Sequence, residues 1–248
     1  MYDNRISVIL NVYKRPYSLE KQIDSILNQS IKINPENIHV WYNTPDDGEC
    51  NLINPKNSKI KTYKCNYNTK FFGRFTLPLL CKTPYIALFD DDIVSGTEWF
   101  KNCLTTIEKY DAILGGSGVL LEGKKYQPNT KVGWNGLKNE EPMEVDLVGH
   151  AWFFHQKYSK FMWSEEPPSW DNGEDMFLSY VAQKNGIKTM VPPHPKNNIE
   201  LWSNVPGRDN NMGNDSAASW LHNSNHMELR NSIVTSLINN GWKTLKMV

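Results

Sequence analysis

Tyr85-Ile86-Ala87-Leu88-Phe89-Asp90-Asp91-Asp92-Ile93 joins a five-residue apolar run to three carboxylates without a break. An apolar run of that length, bounded by polar residues, reads as a buried strand. Acidic residues at the carboxyl end of a central strand stand where open α/β sheets place their ligands. Three adjacent carboxylates repel one another and raise their own pKa values unless a cation or strong donors compensate. A divalent metal meets that need, because Mg²⁺ or Mn²⁺ is held by one or two carboxylates together with substrate phosphate oxygens. The bland counterpart, a solvated acidic turn, fits poorly with a strand that runs straight into it.

Outward from this segment the chain alternates strands and helices. Ile6 to Val12 is a β-branched apolar run that opens into Lys14-Arg15-Pro16, the pattern of a strand ending in a turn. Leu19, Ile23, Ile26 and Leu27 have the spacing of an amphipathic helix. Strands fit Asn37 to Tyr42 and Lys59 to Tyr63, and Phe71 to Leu80 reads as a helix broken at Pro78. After the acidic run, Trp99, Phe100, Cys103, Leu104 and Ile107 mark another helix and Ala112 to Leu114 another strand. The alternation predicts an α/β fold with a mostly parallel central sheet flanked by helices. Beyond Gly115 the pattern becomes irregular, with a Gly- and Asn-punctuated stretch to Glu144, a strand over Val145 to Phe154 and a polar loop to Asn172. A helix over Met176 to Gln183, a strand over Ile187 to Val191 and a terminal helix from Asn223 to Asn240 follow. The loop from Asn197 to Ser216 is too long for a simple connector, and its segment from Trp202 through Gly213 reads as a mobile lid. No internal repeat is visible. The expected organisation is one domain over residues 1–248, with a nucleotide-type half over 1–115 and a platform over 116–248 joined to the same sheet.

The 248 residues suit one large domain, and 39% hydrophobic with 22% charged residues gives enough apolar material for a core. Lys plus Arg (27) balances Asp plus Glu (27), so no global field draws the chain to nucleic acid or to an anionic membrane, and any anionic ligand must be held locally. The uncharged stretch Ala112 to Leu121 is far short of the ~18 apolar residues of a membrane span. The N-terminus lacks the regions of a signal peptide, and the expected location is cytoplasmic. Cys50, Cys65, Cys81 and Cys103 form no C-x-x-C pair and read as scattered reduced thiols. Asn occurs 28 times, so no single Asn near a motif carries weight. Trp occurs nine times, mostly in the second half; such rings suit core packing and also the apolar face of a sugar.

Two further constellations bear on chemistry. Gly173-Glu174-Asp175 opens the helix of Met176, Phe177, Tyr180 and Val181. Carboxylates in a first turn are favoured by the helix dipole, so capping competes with a role in which one acid is a general base and its neighbour holds the acceptor or orients its partner. Asn68 to Phe75 is a basic, glycine-containing segment one strand before the acidic triplet. Arg74 within it can pair bidentately with a diphosphate, or lie on a solvated helix face.

Val12-Tyr13-Lys14-Arg15-Pro16, Gly73-Arg74-Phe75, Leu88-Phe89-Asp90-Asp91-Asp92, Val148-Gly149-His150-Ala151-Trp152-Phe153-Phe154-His155 and Gly173-Glu174-Asp175 occur in this order. The series resembles GT-A glycosyltransferases, namely family 2 and the exostosin-like catalytic domain, over roughly Ile6 to Val191. The resemblance implies a Rossmann-like GT-A sheet with an acceptor-side second half. It also implies transfer of a sugar from a nucleotide-sugar donor, uridine-linked, to a hydroxyl of a glycan or glycoconjugate with Mn²⁺ or Mg²⁺. Under it, Tyr13 and Arg15 border the base pocket and Asn43 lies near the uracil or ribose. Arg74 reaches the donor sugar or diphosphate, Asp90 and Asp91 the ribose and donor sugar, and Asp92 the metal. Asp175 is the catalytic carboxylate with Glu174 beside it. Gly149, His150 and Trp170 line the acceptor cleft, and His194, after the strand that follows the acidic helix, is a second metal ligand. Family 2 members invert the anomeric centre whereas exostosin-like enzymes retain it, so the stereochemistry is open.

Two other classes compete. Asp90-Asp91-Asp92-Ile93-Val94 also fits the D-x-D-x-V of a haloacid-dehalogenase-like phosphatase using Asp90 and Asp92, but that motif normally ends the first strand of its domain. A non-catalytic sugar-binding module suits the tryptophans and leaves both acidic motifs unexplained.

Overall fold

The computed structural model describes residues 2–46, 53–208, 215, 218, 221 and 225–246. Nine strands among them form one sheet: β1 (Ile6–Val12), β2 (Ile38–Tyr42), β3 (Lys61–Lys64), β4 (Tyr85–Phe89), β5 (Ala112–Leu121), β6 (Asn129–Gly133), β7 (Met143–Val145), β8 (Leu147–His155) and β9 (Lys188–Val191). Their order is β3-β2-β1-β4-β8-β5-β9-β7, with β6 paired to β5. Six of the nine, β1 to β5 and β9, run in one direction. β8 runs against them, inserted between β4 and β5, and β6 and β7 are antiparallel to β5 and β9. This is the α/β architecture with a mostly parallel sheet that the alternation predicts, and it is Rossmann-like as the resemblance implies.

Helices α1 (Leu19–Leu27), α2 (Trp99–Lys109), α3 (Glu174–Lys184) and α4 (His226–Asn239) cover the two faces. Side chains alternate across a strand with period two, and the core divides accordingly. Val8, Leu10, Ala87 and Phe89 pack with Leu19, Ile23 and Ile26 of α1 and Trp99, Phe100 and Cys103 of α2. Ile9, Ile86 and Leu88 point the other way, toward Met176, Phe177 and Val181 of α3 and Ile233, Val234 and Leu237 of α4. Among the described residues no helix is long and apolar enough to cross a membrane.

β6 and β7 arise from the stretch read as irregular, and three further elements differ from the sequence reading. Gly73–Leu80 is a 3₁₀ helix containing Pro78. β5 continues past Leu114 to Leu121 through glycines that read as punctuation; a Cβ on Gly116 would lie 2.2 Å from Ser203 Oγ, so the glycine marks a close approach rather than a break. Gln156–Trp163, read as polar loop, is a 3₁₀ helix. Cys50, Trp220 and residues 209–213 of the expected lid lie outside the described residues, while its first residues, Trp202 to Val205, are buried.

Candidate active site

β1, β2 and β4 are parallel, so their carboxyl ends meet on one edge, where a cavity of about 1180 Å³ opens. The acidic triplet sits on its floor, and each carboxylate has a different partner. Asp90 pairs with Arg74 and lies 3.2 Å from His150 Nδ1. Asp91 accepts from Arg15 Nη1 at 2.6 Å and from the Tyr13 N–H at 3.2 Å. Asp92 has Arg15 at 3.7 Å, while its Oδ1 is buried with no hydrogen-bond partner. The loop carrying them is fixed from α1: Gln22 Nε2 donates to the carbonyls of Asp90 (2.7 Å) and Ile93 (3.0 Å). Nothing in the local pattern marks Gln22, since a glutamine on a helix face reads as solvated.

These environments separate the three acids. Burial raises the pKa of Asp90, but Arg74 and His150 outweigh it and hold the group at about 2. Burial pushes Asp91 up to about 7, with the charges of Asp92 and Asp90 adding to it and Arg15 opposing. Asp92 is raised by burial and by Asp90. The cluster therefore carries more negative charge than Arg15 and Arg74 relieve. Ligand atoms of Asp90, Asp92 and His150 all lie within 4.8 Å of one another, a group able to hold a metal ion.

His150 reaches the cluster through a bulge. Gly115 pairs with Trp152 and Ser117 with Gly149, so His150 and Ala151 of β8 stand opposite Gly116 alone. Bulges re-aim side chains and recur beside active sites. Here the extra residue takes φ 69°, its carbonyl accepts from the Asp90 N–H at 2.9 Å, and its ring rests edge-on against Trp134 at 5.7 Å. Burial lowers the imidazole pKa, but Asp90, Asp92 and Asp175 outweigh it and leave it raised.

The start of α3 forms the opposite wall. Glu174 Oε1 is 3.2 Å from Arg74 Nη2, so Arg74 bridges the β4 acids and the α3 acids. Arg74 is 3% exposed and lies over the rings of Trp152 (5.0 Å) and Phe75 (5.6 Å), which removes the solvated-face reading. Burial and the adjacent Asp175 charge push Glu174 up to about 7, against the pull of Arg74. Asp175 Oδ1 accepts from the Met176 N–H at 2.9 Å and Oδ2 from Arg230 of α4 at 2.6 Å. Gly149 lies over this carboxylate: a Cβ there would stand 3.8 Å from Asp175 Oδ2.

On the far side, Tyr13, Arg15 and Asn43 line the cavity. Arg15 holds Asp215 bidentately at 2.8–3.0 Å as well as Asp91. Asn43 is turned to structural work, donating to Asn68 Oδ1 (2.9 Å) and the Lys70 carbonyl (3.1 Å) and accepting from Thr69 N and Oγ1 at 2.8 Å. It shapes the wall through the 68–70 turn.

Two expected residues are placed elsewhere. His194 is fully buried between Trp99 and Trp202, with Nδ1 2.8 Å from the Pro192 carbonyl and Nε2 3.1 Å from Ser203 Oγ. Both ring nitrogens are engaged and burial depresses its pKa to about 4, so it is a packing histidine, and His150 holds the position beside the acids. Trp170 is 47% exposed, packed on Phe72 and Trp163, and is not part of the cavity wall, although Asp171 and Asn172 are. The sequence reading missed Gln22, Trp134 and Arg230, whose side chains meet the site only through long-range packing.

No protein-family model matches the chain, and no curated protein does. Among solved structures it is similar to Staphylococcus aureus TarS 1–349 in complex with UDP-GlcNAc, at TM-score 0.51 and 14% identity over 77% of this chain and 56% of that one. It is equally similar to a second crystal structure of S. aureus TarS 1–349, at TM-score 0.51 and 14% identity over 77% of this chain and 58% of that one. The chain thus spans little more than half the length of these structures, and the likeness is one of fold.

Proposed function

We propose that the protein is a glycosyltransferase that moves a sugar from a uridine-linked nucleotide-sugar donor to a hydroxyl of a glycan or glycoconjugate acceptor, with Mn²⁺ or Mg²⁺ at the acidic cluster. The observation that carries this reading is the meeting of two acidic sets across one cavity, Asp90 to Asp92 at the end of β4 and Glu174 with Asp175 at the start of α3, with Arg74 paired to both. The shared fold with a protein solved with UDP-GlcNAc supports the donor class. The alternatives account for less: β4 is preceded by three strands, unlike the first-strand aspartates of the phosphatase class, and a binding module has no use for the second acidic pair.

The cluster fits a divalent cation. Asp92 Oδ1 is buried without a partner, and burial and like charge raise Asp91 and Asp92. Carboxylate oxygens with one imidazole suit such an ion, with Asp92, Asp90 and His150 as the residues to hold it. When bound, it supplies neutralisation of the charge that grows on the leaving diphosphate. The remaining roles belong to side chains. Tyr13 and the wall shaped by Asn43 border the base, and Arg15 holds Asp91 in place. Arg74 keeps the donor floor and α3 in one arrangement. Asp175 takes the proton of the acceptor hydroxyl. The acceptor oxygen then bonds to the anomeric carbon as the bond from that carbon to the diphosphate oxygen breaks, and UDP leaves with the electron pair. A direct displacement of this kind inverts the anomeric carbon, which NMR of the product reads.

Calorimetry of UDP binding tests the proposal. Affinity is expected to be far higher with Mn²⁺ or Mg²⁺ than with chelator, and Asp92→Asn to lose the metal-dependent part with its melting temperature retained. Equal UDP affinity with metal and with chelator would remove the metal role.

A further inference from the structure

Of Gly173, Glu174 and Asp175, the first and last meet α4 and the middle one does not. Glu174 faces Arg74. Gly173, at φ 87°, has no room for a side chain, because a Cβ would stand 2.8 Å from Ile233 Cδ1 and 3.1 Å from Ile233 Cγ2. Ile233 follows Arg230 by three residues on α4, so the two share a helix face. The glycine therefore admits α4 close enough to deliver Arg230 to Asp175. Arg230 is 8% exposed. Its Nη2 donates to Asp175 Oδ2 at 2.6 Å, its Nη1 donates to Asn172 Oδ1 at 2.9 Å, and its guanidinium lies 4.2 Å from the centre of the Tyr126 ring. The fork grips Asn172, just before Gly173, and Asp175, two residues after it.

We propose that Arg230 is the positioning residue of Asp175, making the C-terminal helix part of the reaction machinery although it contributes no acid or base. The proposal rests on the reading of Asp175 as proton acceptor. Asp175 Oδ1 is taken by the N–H of its own helix, a bond that any carboxylate in a first turn can make. Oδ2 is the oxygen beside Gly149 at the cavity wall, and Arg230 fixes its direction. Glu174, His150, His226 and the Tyr126 hydroxyl also face Asp175 electrostatically, yet none of them supplies a two-pronged donor. A planar fork held by Asn172 and seated on Tyr126 sets an orientation, whereas a lysine ammonium supplies the charge without the geometry. Misplacing a reacting group by about 1 Å costs roughly 10²-fold in rate.

The test uses the whole chain with Mn²⁺ and UDP-glucose, UDP-galactose and UDP-GlcNAc, measuring hydrolysis of the sugar nucleotide with water as acceptor, and UDP affinity by calorimetry. Arg230→Gln is expected to lower kcat by roughly 10²-fold while donor KM and UDP affinity stay as in the wild type. Arg230→Lys is expected to recover part of kcat. The double variant Asp175→Asn with Arg230→Gln should be no slower than Asp175→Asn alone, since Arg230 acts through Asp175. If Asp175→Asn collapses while Arg230→Gln turns over normally, the positioning role is overturned and the base stands. A double variant slower than Asp175→Asn by the full Arg230→Gln factor overturns it too, as does a loss of UDP affinity that tracks the loss of kcat, which is the mark of a structural arginine. If Asp175→Asn keeps wild-type turnover, or the wild type turns over none of the three donors, the functional reading falls and this proposal falls with it.

Discussion

Glu174→Gln separates a carboxyl that costs stability from one that supports it. Glu174 is 7% exposed and is held up from an ordinary 4.5 to about 7 by burial and by Asp175. The folded state thus keeps a proton that the unfolded chain releases between these two values. The associated stability is present in full below pH 4.5 and is lost as pH rises through about 7. At about 1.4 kcal/mol for each pH unit, the interval from 4.5 to about 7 corresponds to roughly 3 kcal/mol. Glutamine is a neutral isostere that still accepts from Arg74, so the variant loses this titration and keeps the contact. Asp91, held up to about 7 as well, titrates in both proteins and cancels in the difference. Urea unfolding in chelator is therefore expected to show wild type and variant alike at pH 4.5 and the variant ahead by roughly 3 kcal/mol at pH 8, or about 6–12 °C in melting temperature for a chain of this size. Parallel pH profiles would refute the reasoning, because Glu174 would then ionise in the fold at no cost and Arg74 would offset its burial completely.

Gln22→Ala removes the donors to two carbonyls of the acidic loop, a buried one on Ile93 and a half-buried one on Asp90; a loss of about 1–3 kcal/mol for the buried acceptor left unpaired is expected, read by urea unfolding, together with weaker metal-dependent UDP binding. His150→Gly relieves a left-handed backbone at φ 69° and should keep stability within about 1 kcal/mol of the wild type, while Mn²⁺ affinity measured by calorimetry falls because the imidazole beside Asp90 and Asp92 is gone; unchanged Mn²⁺ affinity would take His150 out of the metal group.

What the sequence disclosed was local. The strand ending in Asp90 and the helix opening at Glu174 are contiguous patterns, and their apolar spacing fixes both the element and the end at which the acids sit. The histidine was not local. A rule of position after the last strand points to His194, whereas His150 is aimed by an unequal pairing between β5 and β8, a property of two strands that neither sequence shows alone. The same holds for β5, whose glycines resemble loop punctuation until Ser203 and Val148 are seen filling the space where side chains would stand. Arg230 and Gln22 resemble any polar residue on an amphipathic helix, and only the partner across the gap reveals that they are buried donors.

Lys14 (φ 58°), Lys70 (φ 53°) and His150 (φ 69°) are the non-glycine residues with left-handed backbone among those described, and all three line the cavity. Each such conformation costs on the order of 1 kcal/mol or more and persists only where its surroundings over-determine it. The surroundings are visible at each point: the Tyr13 N–H bonded to Asp91 just before Lys14, the Asn43 side chain clamping the 68–70 turn, and the His150 carbonyl accepting from Asp90. Strand ends therefore place the acids, while the residues around them are held in strained backbone conformations, two by polar side chains (Asp91 and Asn43) and one by the Asp90 N–H. The sheet and its two apolar clusters do not depend on those clamps. The binding geometry does, so substitutions at the clamps act on ligand affinity before they act on the fold.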